Sequence, residues 1–77
     1  MKLKDLLEEA TKQTENLNSG ESFMVKELFR GIEWNRIDRG LRMNLGRAFL
    51  FEIEKDLTLN IEKLKKNSAN QQIYIKK

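Results

Sequence analysis

The chain has 77 residues, 39% of them hydrophobic and 35% charged, with a net charge of +3. That length supports one domain with a small core, in which folding buries only about 60% of the surface the unfolded chain exposes. With no cysteine and no histidine, disulfides, thiol nucleophiles, imidazole bases and the usual transition-metal ligands are excluded, so no enzyme activity, metal site or cofactor is expected.

MKLKDLLEEATKQTENL reads as an amphipathic helix. Leu3, Leu6, Leu7, Ala10, Thr14 and Leu17 recur at steps of three and four and define one stripe. Asp5, Glu8 and Glu9 stand near its start, where the helix dipole favours acids. Gly20 then terminates the segment. Residues 1–20 form either a helix packed on its own domain or a dimerisation arm, and residues 21–77 form the remaining domain. In SFMVKELFRG, Phe23 and Val25 fit a short strand or a helix entry. Lys26–Arg30 makes a brief helix with Leu28 and Phe29 inward, and Gly31 stops it.

Asp38 is placed to cap a helix running from Arg39 to about Lys55, its carboxylate accepting from free backbone amides one turn on. Leu41, Leu45, Ala48, Phe49 and Ile53 share one face. Met43, Leu50 and Phe51 lie outside that stripe, so the helix is expected to be central. Beyond it, Leu57, Leu59 and Ile61 alternate, as do Ile73 and Ile75, whereas Leu57, Ile61 and Leu64 also fit a continuing helix. A hairpin of about 59–66 and 71–76 is preferred, because QIYIK is rich in β-branched and aromatic residues and NSAN is a good turn. Tyr74 falls on the strand face opposite Ile73 and Ile75, partly exposed. The fold class is therefore mostly α with a C-terminal β-hairpin, an α+β chain. The element order matches a winged helix-turn-helix.

Charge is unevenly divided: residues 1–34 carry a net −2 and residues 35–77 a net +5. On a helical wheel Arg39, Arg42 and Gly46 fall within about 60° of one another. Arg47 lies further round and Arg36 in the preceding turn. Arginine suits phosphates and guanine edges through its planar fork, and a helix N-terminus favours anions. Asn35 and Asn44 add donors for phosphate or adenine edges. Lys63, Lys65, Lys66 and Lys76 on the hairpin would hold the flanking backbone as point charges, or guard a strand edge. The acidic stretch of residues 48–62, with Glu52, Glu54, Asp56 and Glu62, is expected to face away from a polyanion. Gly46, mid-helix, implies close approach by another backbone, that of the hairpin or of a nucleic acid. Trp34 reads as a core or corner anchor.

FMVKELF, EWNRIDRG, LRMNLGRAF and a late aromatic in QIYIK resemble a small domain-of-unknown-function family associated with Gram-positive bacteria and their plasmids and phages. The pattern maps onto Phe23, Val25, Leu28, Phe29, Trp34, Arg39, Gly40, Arg42, Leu45, Gly46, Arg47 and Phe49, over residues 22–50, with Tyr74 beyond. This resemblance implies the domain and a mobile-element origin, not a mechanism.

No apolar run reaches the roughly 20 residues that cross a bilayer, and acids appear by Asp5, where a signal peptide would need an unbroken apolar stretch. The expected protein is cytoplasmic and free of the membrane. It binds duplex DNA through these cationic residues, as a transcriptional or mobile-element accessory factor, and a homodimer would supply the stability so small a core lacks. The alternative is an interaction module for an acidic protein partner, using Met43, Leu50 and the leucine stripe.

Overall fold

A computed structural model describes residues 2–77. Helix α1 (Leu3–Gln13) continues through a single 3-10 turn at Thr14–Asn16. Its leucine stripe turns inward: Leu6 and Ala10 are buried, and so is Thr14, whose hydroxyl donates back to the Thr11 carbonyl at 2.6 Å. That bond satisfies the one polar side chain buried among the described residues, as burial of a hydroxyl requires.

The helix does not run to Gly20. Leu17 is already extended, and Gly20 instead takes φ +90° in the following turn, a left-handed conformation open to glycine at no steric cost. There its amide donates to the Lys76 carbonyl at 2.7 Å, while the Lys76 amide donates to Glu21. These bonds deliver the chain into strand β1 (Ser22–Phe23). A 3-10 turn at Val25–Leu28 follows, tied at its start by the Met24 amide donating to the Glu27 carboxylate.

Helix α2 (Gly31–Asn35) begins at Gly31, the residue expected to stop a helix. Three residues later Asp38 caps α3 (Arg39–Lys55), accepting from the Leu41 amide at 3.0 Å. The 3-10 turn at Leu57–Leu59 and a left-handed Asn60, φ +56°, reverse the chain into β2 (Ile61–Lys66). Residues 57–59 thus belong to neither a longer helix nor the strand. Asn67 organises the next turn: its side-chain oxygen accepts from the Ala69 and Gln71 amides. β3 (Gln72–Lys76) then returns antiparallel to β2.

The fold is α+β, with one antiparallel three-stranded sheet in the order β1-β3-β2. The expected two-stranded ribbon therefore gains a third strand, because Ser22 and Phe23 pair with Ile75 and Tyr74 on the free edge of β3. Tyr74 is only 1% exposed, contrary to the partly exposed position expected for it. Its ring meets Phe49 edge-on at 5.1 Å and Phe23 at 5.7 Å. These rings, with Ala10, Leu28, Ile53 and Ile61, form the main core, and Leu6, Ile37 and Leu45 form an adjoining cluster. Helix α1 contributes to both clusters, so α1, α3 and the sheet share one interior.

Candidate nucleic-acid interface

Two surfaces carry the cations of the second half of the chain. The first is the outward side of α3 and the turn before it. Asn35, Arg36, Arg39, Asn44 and Arg47 are all exposed there. The buried side of α3 is held by Leu45, Phe49 and Ile53, and at 100° per residue Arg47 projects almost opposite that row. The Asp38 cap uses the Leu41 amide and so fixes the turn from which Arg36 and Arg39 extend.

The second surface is β2. Only Ile61 of this strand is buried, and residues 62–66 are exposed throughout, so the strand leaves the core behind as it advances. The pairing with β3 shifts between Lys63 and Lys66. A register shift of this kind interrupts strict alternation, and Lys63, Lys65 and Lys66 all reach solvent. Glu62, the one acid in the strand, is bridged to Lys77 at 3.3 Å. The other ion pair among the described residues joins Arg30 and Glu33. Arg36, Arg39, Arg47, Lys63, Lys65 and Lys66 have no carboxylate within 4.0 Å among the described residues.

Arg42 and Lys76 behave differently from the other eight. The Arg42 guanidinium lies 5.2 Å from the centre of the Trp34 ring, and its Nη2 donates to the Trp34 carbonyl at 2.9 Å. Its charge is spent on joining α3 to α2, with Trp34 as the corner anchor, itself packed on Phe29 at 5.8 Å. Lys76 is half-buried and donates from Nζ to the Leu59 carbonyl at 3.3 Å.

Three further expectations need correction. No atom outside the helix's own backbone comes within 4 Å of where a Gly46 Cβ would stand, so no backbone approaches it closely. The acids do not all turn away either: Glu54 is exposed on the same side of α3 as Arg47, seven residues on, about 10 Å along the axis. It bounds the cationic surface to the N-terminal half of the helix. Leu50 is half-buried against the core, and the exposed apolar residues of α3 are Met43 (54%) and Phe51 (68%).

Between α3 and the β2–β3 turn lies a groove of about 450 Å³. Trp34, Met43, Gly46, Leu50 and Tyr74 line it together with Lys26, Arg42, Arg47 and Lys66. Met24 and Val25, with Asn70, Gln71 and Gln72, complete it from positions far apart in sequence. Of this set the sequence signalled Gly46, the arginines, Lys66, Trp34, Met43 and Leu50 one by one, but not that they meet in one groove.

Among the described residues no cluster of acids could hold a metal ion, and no helix is long and apolar enough to cross a membrane. Neither a curated protein nor a solved structure matches the chain. A family model, Domain of unknown function (DUF1413), matches residues 8–76, and with nearly the whole chain inside that match, including the segment from Phe23 to Phe49 and the sheet behind it, the protein belongs to the DUF1413 family.

Proposed function

We propose that this protein is a small DNA-binding factor of winged helix-turn-helix type, acting in the cytoplasm as a transcriptional or mobile-element accessory protein. In this reading α2, the Arg36–Asp38 turn and α3 form the helix-turn-helix. Helix α3 enters a groove, and the β2–β3 ribbon is the wing beside it. The order α1-β1-α2-α3-β2-β3 with sheet order β1-β3-β2 supports the topology. The observation that carries the function is that Arg39, Asn44 and Arg47 of α3, with Asn35 and Arg36 at the end of α2, are exposed, and that the three arginines have no carboxylate partner among the described residues. Arginine there reaches phosphates and guanine edges, and asparagine reaches adenine edges. Lys63, Lys65 and Lys66 on the ribbon hold the neighbouring backbone without reading sequence.

Fluorescence anisotropy with random duplex and single-stranded DNA at low and moderate salt tests this. The logarithm of affinity should fall linearly with the logarithm of salt, by about 0.9 per neutralised phosphate on duplex. An Arg39→Ala, Arg47→Ala protein should remain folded and bind duplex at least tenfold more weakly, about 1.4 kcal/mol. Wild-type affinity in that double variant, or no salt-sensitive binding by the native protein, would end the DNA reading.

A second reading is favoured by Met43 at 54% and Phe51 at 68% exposure on the outer side of α3. Apolar groups flanked by arginines suit an acidic protein partner, which the arginines would steer. A Phe51→Ser substitution should abolish that docking and leave non-specific DNA affinity unchanged.

A further inference from the structure

The groove between α3 and the β2–β3 turn combines an apolar floor with a charged lining of one sign. Its floor is apolar, built from Trp34, Met43, Leu50 and the edge of Tyr74, whereas a phosphodiester brings nothing to cover such a floor. Its charged lining is of one sign: Lys26, Arg42, Arg47 and Lys66 face it and no acid does. A third observation is Gly46. Mid-helix glycine is less favourable than alanine, yet a Cβ there would meet nothing within 4 Å. Packing inside the fold therefore gives no reason for the missing side chain. What the glycine does is keep the middle of the groove open.

We propose that this groove is a binding site for a small amphiphilic anion: a compact aromatic or branched aliphatic body carrying one carboxylate. At about 450 Å³ the space lies within the 300–1,000 Å³ typical of small-molecule sites, and an apolar lining with a few placed polar groups is their usual chemistry. The body of the ligand lies over Gly46 against Met43, Leu50 and the Trp34 ring. Its carboxylate faces Arg47, with Lys66 across the groove. Arg42 is held in place by Trp34 and contributes fixed positive charge; its Nε is buried and makes no hydrogen bond.

The test uses 1-naphthaleneacetate and the isosteric neutral 1-naphthaleneacetamide, titrated into the unsubstituted protein without DNA and followed by amide and indole NMR shifts. The carboxylate should shift the Gly46, Met43 and Leu50 amides and the Trp34 indole saturably, and bind at least about tenfold tighter than the amide, the ratio one charge-assisted hydrogen bond supplies. Inorganic phosphate at equal concentration should leave Met43 and Leu50 unmoved. Gly46→Leu, which fills the groove without altering charge and replaces glycine by a better helix former, should keep the thermal midpoint at or above the native value and lose the carboxylate's shifts. The proposal is overturned if the amide binds as tightly as the carboxylate, if phosphate gives the same shift pattern, or if a folded Gly46→Leu protein binds the carboxylate unchanged. Because the wild-type comparison of acid, amide and phosphate stands without any variant, misfolding of Gly46→Leu would not rescue a failed result. These outcomes are independent of whether the protein binds DNA.

Discussion

Arg42 carries its charge inward. Stacked on Trp34 and bonded to that residue's carbonyl, it stabilises the α2–α3 corner through a cation–π contact of about 0.5–2 kcal/mol and a charged hydrogen bond. Because the side chain is only partly buried, the net effect is smaller than the sum. Arg42→Ala should lower unfolding stability in urea by about 1–2 kcal/mol. Arg42→Lys should not restore it, since an ammonium lacks the planar fork that stacks and donates together. Arg47, exposed and unpaired, should give an Arg47→Ala protein with an unmoved urea midpoint. If the two alanine variants were equally stable, Arg42 would not be a corner residue. Gly46→Ala should raise stability by up to about 1 kcal/mol, because the added methyl displaces nothing.

Among the elements, α3 is the one most clearly written in the sequence. Its cap and its period of three and four agree, and the helix begins at Arg39 and ends at Lys55 as that pattern implies. Asp38→Ala should cost about 1 kcal/mol by orphaning the Leu41 amide, with loss of helicity confined to the first turn by hydrogen exchange. α2 was not legible, because five residues are too few for periodicity and Gly31 reads equally as a stop. In β3 the alternation correctly set Tyr74 opposite Ile73 and Ile75, but alternation does not say which face is the core. That choice belongs to Phe49 and Phe23, distant in sequence, whose rings receive Tyr74. The cationic residues of the candidate site were legible one by one. Their division into exposed ones and the inward Arg42 was not, since it depends on where Trp34 lies, and the groove depends on Met24 and Gln71 as well.

The ring cluster gives the elements a measurable pH limit. Burial, and secondarily the Glu54 carboxylate, push the Tyr74 hydroxyl up from 10.0 to about 12. A raised folded pKa means that the neutral phenol is favoured by folding. Its contribution is complete below pH 10 and is lost as pH rises from there towards 12, at most roughly 2–3 kcal/mol over that window. Urea titrations between pH 9 and 12 should show stability falling in the native protein and falling much less in Tyr74→Phe. An equal decline in both would mean that the phenol is not responsible.

At the scale of the whole molecule, the chain is as compact as its length allows, with a radius of gyration of 11.7 Å against about 11–12 Å for a 77-residue domain. A body this small cannot surround a partner; it can only present faces. Its positive charge is concentrated on the N-terminal half of α3 and on β2, with Glu54 closing one end and Glu62 neutralised by Lys77. If both faces meet one duplex, they should contribute differently. The β2 lysines are point charges on a strand that has left the core, so they hold backbone whatever the sequence beneath. Substituting Lys63, Lys65 and Lys66 together by glutamine should weaken binding by the same factor on unrelated duplexes and lower the salt slope by about 0.9 for each phosphate released. The exposed residues of α3 should instead make the loss depend on sequence, as base-edge contacts do. Anisotropy on a panel of duplexes separates the two: a lysine variant whose loss varied from one duplex to another, or whose salt slope stayed at the native value, would remove β2 from the interface and leave α3 to bind alone.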